Sequence, residues 1–285
     1  LPVVPTPKEN IQLLSLLKSG CPDNILLAQN IAVALGANLL ELLHPYNNLV
    51  PTQTPSIEDY VQLFVNTKLD WSNLNLKQLP LNLSELQSLE HINLSNNALS
   101  TLSSPLTDLY NLQYLNLNKN KLQEIPNNFD LWTNLKALHL ADNLLTKLPN
   151  AVKCLHNLQD LDLSRNQLQT LPATVEYWTE IQHLHLVKNA LFYLPDEIAG
   201  WQALELLDLS YNQIYELPPS IGMLKNLRRL DLTYNPIEHF PEEMAALTLL
   251  EELVLYKVPI SDQEQQRLAS LLPHTKIKFN FDYFF

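Results

Sequence analysis

Glycine is nearly missing, with four residues in 285. A loop that cradles phosphate needs clustered glycines, and neither GxGxxG nor GxxxxGK(S/T) occurs, so no nucleotide site of that kind is expected. HExxH and GxSxG are absent too, which removes the zinc-peptidase and nucleophile-elbow signatures. The two cysteines, Cys21 and Cys154, are far apart in sequence. They offer neither a disulfide framework nor a metal spacing, and leave the redox compartment open. Basic residues are outnumbered 18 to 30, for a net charge of -12. Nucleic acid and anionic membrane need basic surfaces, so neither is an expected partner; the balance would suit a basic one. No long apolar run is free of polar residues. The most apolar, Ile25 to Leu43, carries Gln29, Asn30, Gly36, Asn38 and Glu41, so no membrane insertion is expected. Met is missing from the start, LPVVPTPKEN. A Pro-rich beginning reads as a linker exposed by removal of a leader, or as a cut edge. That leans towards a secreted or cell-envelope protein and leaves the cytoplasm open.

What the chain does have is leucine and asparagine in strict time. Asn97, Asn120, Asn143, Asn166, Asn189, Asn212 and Asn235 are each 23 residues apart. Around each runs the frame LxxLxLxxNxLxxLPxx(I/V)xx(L/W)xx. Extended backwards, the frame puts Leu74 in the Asn slot; extended forwards, it puts Val258 there. Seven full units flanked by two atypical ones indicate a solenoid with modified ends.

Each unit can be read physically. In LQDLDL, Leu161 and Leu163 alternate with Asp160, Asp162 and Ser164, the period of a half-buried strand. Leu168 and Leu171 re-enter the core from the turn, and Pro172, like Pro149, Pro195, Pro218 and Pro241, steers the chain away from pairing. Val175 and Trp178 suit a short helical turn on the convex side, where Trp132 and Trp201 replace the usual Leu. Where the strand ends, buried N–H and C=O groups need partners. Asn carries a donor and an acceptor on a short stem, so the series predicts a structural ladder between coils.

These residues resemble leucine-rich repeat proteins of the 23-residue, LPxxI-bearing type, over about Leu69 to Leu272. The resemblance suggests a bacterial source. It implies an α/β fold: a right-handed solenoid with a parallel concave sheet, an N-terminal helical cap and a C-terminal helix–strand cap. It also implies protein binding, while the fold alone decides no function. Many extracellular relatives clamp their caps with cysteines, which this chain does not. Handedness follows from parallel crossovers in general. Residues 1–68 read as a Pro-rich leader and helical cap, 69–260 as the solenoid, and 261–285 as the closing cap. In the first, KENIQLLSLL and PDNILLAQNI each begin a helix, with Glu9 or Asp23 at its positive end, and Gly20 suits a helix end. Ser56 with Asp59, and Ser261 with Glu264, suggest capping boxes; KIKF would add a closing strand.

The strand residues between core leucines face outward and line up across coils. Two constellations emerge. His139, Asp160, Asp162, His183, His185 and Asp208 form an acid–imidazole set. It reads first as a solvated ladder of alternating charges, then as a pH-sensitive contact surface, and last as a metal site. Val187, Leu206, Tyr211, Tyr234, Val254 and Tyr256 form an apolar and aromatic set, extended by Phe192, Tyr193 and Tyr215. Apolar side chains without core duty suggest a contact site. The expected function is a non-enzymatic protein–protein interaction scaffold, monomeric, binding a partner protein on its concave face through these two sets. No catalytic, cofactor-binding or metal residue is assigned and no cofactor is implied. Recognition of a glycan or small polar ligand is one alternative. Another is the recognition half of a larger enzyme or effector.

Overall fold

A computed structural model describes residues 6–35, 37–49, 55–102, 104–127 and 131–279. The Pro-rich start at 1–5, and residues 280–285 of the expected closing cap, lie outside the described residues.

Ten three-residue strands form a single parallel sheet in sequence order. They are β1 Lys68–Asp70, β2 His91–Asn93, β3 Tyr114–Asn116, β4 Ala137–His139, β5 Asp160–Asp162, β6 His183–His185, β7 Leu206–Asp208, β8 Arg229–Asp231, β9 Glu252–Val254 and β10 Lys276–Lys278. Each strand is short because only its middle residue turns inward. Ile92, Leu115, Leu161, Leu184, Leu207 and Leu230 are all buried. Register is in step from coil to coil: Asp160 lies beside His183, and Leu206 beside Arg229. The concave rows read from the sequence are therefore the observed ones, and the KIKF strand closes the sheet as β10.

After each of β2 to β9 the backbone turns left-handed. Asn96, Lys119, Asp142, Arg165, Lys188, Tyr211, Tyr234 and Lys257 have φ between 54° and 58°. That conformation aims the residue's N–H at the next coil: Lys188 donates to the Ser210 carbonyl at 2.8 Å, and Tyr211 to that of Thr233 at 2.7 Å. The repeat Asn follows. Asn166 Nδ2 donates to the carbonyls of Leu140 and Leu163, both at 3.0 Å, and its Oδ1 accepts from the Leu145 N–H at 3.0 Å. Asn120, Asn143, Asn212 and Asn235 do the same, and all five are buried.

On the convex side Pro149, Pro172, Pro195, Pro218 and Pro241 each sit just before a 3₁₀ turn, such as Ala173–Tyr177 and Asp196–Gly200. The indoles are core, with a polar duty besides. Trp178 and Trp201 each donate to a carbonyl one coil back, Val152 and Val175, both at 2.9 Å, and their rings stack at 6.2 Å. Coils approach closely here. A Cβ on Gly200 would lie 2.1 Å from the Glu176 carbonyl oxygen.

Before the sheet come α1 Pro7–Lys18, α2 Pro22–Leu35, α3 Leu39–Leu43 and α4 Ile57–Val65, with a 3₁₀ turn at His44–Leu49. Thr6 and Glu9 form a capping box on α1, and Ser56 and Asp59 form one on α4. Gly20, at φ 64°, ends α1. Helix α5, Ser104–Thr107, takes a convex slot within the repeats. No single helix among the described residues is long and apolar enough to cross a membrane. Pro22–Leu35 and Leu39–Asn47 pass that test as a pair, but are bent by 118° at the break.

Helix α6, Asp262–Leu271, lies against the last coil. Here the expected second capping box forms only by half. Ser261 accepts from the Glu264 N–H, but the Glu264 carboxylate turns to the solenoid and accepts from the Phe240 N–H at 3.0 Å. Arg267 bonds both that carboxylate and the Phe240 carbonyl. The cap thus supplies partners for both the N–H and the carbonyl of Phe240.

Candidate interaction surface

The acid–imidazole set is only partly a cluster. His139 Nε2 lies 3.2 Å from Asp160 Oδ2. The His139 hydrogen bond holds the Asp160 carboxyl below its usual 3.8; partial burial opposes this, and the charges of His139, His185 and His183 add to it. His139 also meets Tyr114 edge-on, with ring centroids 5.3 Å apart, and Tyr114 stacks on His91 at 6.1 Å. His183 is exposed and His185 half-buried, in register with Asp160 and Asp162, but neither pairs with a carboxylate within 4.0 Å among the described residues.

Asp162 and Asp208 have a different duty. Each accepts the backbone N–H two residues ahead, that of Ser164 or Ser210, at 3.0 Å. Asp70, Asn93, Asn116 and Asp231 do the same at their strand ends. This row closes the strand-to-turn step, a local bond that short Asx side chains make readily. Among the described residues no three His, Cys, Asp or Glu side chains are placed to hold a metal ion.

The apolar set divides as well. Val254 does not belong to a free surface. It is 2% exposed, with Asp231 and Lys278 in register on either side, so the closing strand leaves this short side chain no open flank. Val187, Leu206 and Tyr256 are half-buried. Tyr211 and Tyr234 are 49% and 41% exposed, and their rings stack at 4.5 Å with 19° between planes. Phe192, Tyr193 and Tyr215 are also exposed, on the turn beyond the Asn ladder.

Both stacked tyrosines occupy the left-handed slot, at φ 58° and 56°. Asn and Asp visit that conformation readily, whereas a bulky side chain there is an outlier. Asn96 and Asp142 fill the same slot in earlier coils. The backbone therefore gives no reason for tyrosine, and neither does the core.

Charges near β9 are matched internally. Arg229 and Lys278 both pair with Glu252, and the Lys278 contact first of all holds that carboxyl below its ordinary value. At the opposite end of the sheet a shallow recess of about 260 Å³ is lined by Lys68, Asp70, His91, Asn93 and Tyr114.

Stacked 23-residue coils, each giving one strand and sealed by an Asn ladder, define a leucine-rich-repeat solenoid. Family profiles agree: one described as a leucine-rich repeat region matches residues 179–278, and profiles of the leucine-rich repeat match 133–191, 88–109 and 111–132. The chain belongs to the leucine-rich repeat proteins, a family that serves in general as a protein-interaction scaffold. No curated protein matches it significantly. Among solved structures it is similar to a leucine-rich repeat protein of Leptospira interrogans, with 33% identity over 72% of this chain and 64% of that one, at a TM-score of 0.45. It is also similar to an internalin of Listeria monocytogenes, with 21% identity over 70% of this chain and 59% of that one, at a TM-score of 0.60. The internalin likeness is one of fold. The chain spans about three fifths of the length of these two proteins.

Proposed function

We propose that the protein is a non-enzymatic scaffold, acting as a monomer, that binds a partner protein along the strand-to-turn edge of its concave face, with residues 1–68 and 261–285 as its caps. A bacterial source fits the repeat type. One observation carries the reading of the surface: Tyr211 and Tyr234 stand exposed and stacked in slots whose left-handed backbone favours Asn. The same slot holds Lys119, Arg165, Lys188 and Lys257 in other coils, so the fold does not call for tyrosine, and two exposed stacked rings there suggest a use outside the fold. Tyrosine is also a frequent interface anchor. Val187 and Tyr256 border the pair as half-buried apolar flanks.

The test replaces both residues with the residue that the slot favours. Tyr211→Asn with Tyr234→Asn should hold the melting temperature near that of the parent, because relief of the left-handed strain offsets the lost ring stacking, each worth on the order of 1 kcal/mol. Affinity capture with parent and variant, read by mass spectrometry, should lose a defined partner only in the variant. Equal recovery from both proteins would reject this surface.

A further inference from the structure

The tyrosine pair is the middle of a longer row. Lys188, Tyr211, Tyr234 and Lys257 occupy the same left-handed slot in four consecutive coils. Both lysines are exposed, and neither has a carboxylate within 4.0 Å among the described residues. Other lysines, Lys119 of the same slot among them, also lack such a partner among the described residues. Lys18 pairs with Glu85, Arg165 with Asp142, Arg228 with Glu251, Arg229 and Lys278 with Glu252, and Arg267 with Glu264, so what sets this row apart is its neutral surroundings. The residues flanking the row are neutral, with Val187, Ser210, Thr233 and Tyr256 before it and Ala190, Gln213, Pro236 and Pro259 beyond it. The nearest strand carboxylates, Asp208 and Asp231, are turned onto the N–H groups of Ser210 and Thr233. A protein of net charge -12 thus keeps a strip with two unmatched cations and no acid.

We propose that this row is a track for an extended acidic segment of a partner protein, in which two carboxylates about four residues apart bracket apolar residues. The proposal rests on the tyrosine surface described above and gives its occupant a chemistry. The spacing follows from geometry. Coils are about 4.8 Å apart, so Lys188 and Lys257, three coils apart, are about 14 Å apart along the row, which an extended chain covers in about four residues at 3.3–3.4 Å each. The carboxylates meet the lysines, and the apolar residues lie on the stacked rings. Polar readers for a sugar are few here, since the Ser210 hydroxyl is committed to Asp208 at 2.7 Å. The overall negative charge does not forbid an acidic partner. At physiological ionic strength charges further away than about 8 Å are largely screened, while contact pairs are not. This revises the basic partner that composition alone would suit.

The experiment is selection from a random twelve-residue peptide display library against the full chain, followed by affinity measurements on the selected peptides. An acidic glycan array serves as a parallel arm. Enrichment of peptides with two Asp or Glu four residues apart around apolar residues is expected. Their binding should fall at least tenfold with Lys188→Glu plus Lys257→Glu, and equally with Tyr211→Asn plus Tyr234→Asn. It should also weaken as salt rises. Circular dichroism of both variants should match the parent. Selected peptides that lose binding to the tyrosine variant but not to the lysine variant would overturn the acidic track and keep the tyrosine surface. Peptides indifferent to both variants would overturn both. No enrichment, or lysine-dependent binding of acidic glycans alone, would overturn the peptide track.

Discussion

At the scale of single residues, the Asn series and the Asp row look alike in sequence and differ in task. Asn166 bonds four backbone groups belonging to two coils. Asn166→Ala leaves the Leu145 N–H unpaired in the core, while the Leu140 and Leu163 carbonyls keep Asn143 and Asn189 as donors; one such buried group costs about 1–3 kcal/mol. The urea midpoint should drop markedly, whereas Gln167→Ala, on the exposed neighbour, should stay within about 0.5 kcal/mol of the parent. The Asn ladder was legible because a strict period made its burial predictable. Asp162 and Asp208 were not legible as turn residues, since an outward-facing carboxylate on a strand carries the same letter whether it meets solvent or its own backbone. A second ladder runs beside the first. Asn111, Asn134 and Asn157 donate to the carbonyls of Gln87, Tyr110 and Thr133. They too are 23 residues apart, so the signal is present in the NL pairs that precede β3, β4 and β5. The left-handed slot of Tyr211 and Tyr234 could have been suspected from Asn96 and Asp142 in the same position, but only φ reveals it.

At the scale of elements, the strands and 3₁₀ turns follow directly from the frame, and the caps follow less fully. Helix α3 and the turn at His44–Leu49 carry no repeat and no strong amphipathic period, which is why only their neighbours were foreseen. Val254 departs from the sequence reading because β10 adds a strand beyond it, so this short side chain is flanked on both sides. The closing cap has its own chemistry. The Glu264 carboxyl is held below its usual 4.5 first by Arg267, against the opposing effect of burial, and then by the Phe240 N–H. A depressed carboxyl stabilises the fold fully above its unfolded pKa, and that stabilisation is lost as pH falls through the folded value. The last coil and α6 should therefore loosen on the acid side of pH 4.5. Hydrogen exchange at Leu268 and Phe240, followed from pH 6 to pH 3, should show it. Glu264→Gln should exchange faster at pH 6 and change less on acidification; an unchanged exchange profile would remove the clamp from the account.

At the scale of the whole molecule, every coil rests on its two neighbours alone. Strands pair in strict order, and the convex turns from Asn150–Cys154 to Glu242–Ala246 each pack on the next. Stability in such a body is a sum of intrinsic and nearest-neighbour contributions, so the ends decide where disorder can enter. At one end stands α6 with its Glu264 clamp; at the other stand four helices, of which α2 turns Ala28 and Ala32 inward and Leu26, Leu27 and Val33 outward. The serial stacking also makes the protein a mechanical object. Held by its two ends and stretched, it has no long-range contact that must break all at once, so it should lengthen as a staircase. Each peeled coil frees 23 residues, about 80 Å of contour at 3.3–3.6 Å per residue. Optical tweezers should record steps of that length, with the last to yield being the coils joined by buried Asn. A single rupture of the full length would mean that the coils share load in a way their contacts do not reveal. A binder laid across four coils would splice them together, and the staircase would lose those steps while the partner stayed on.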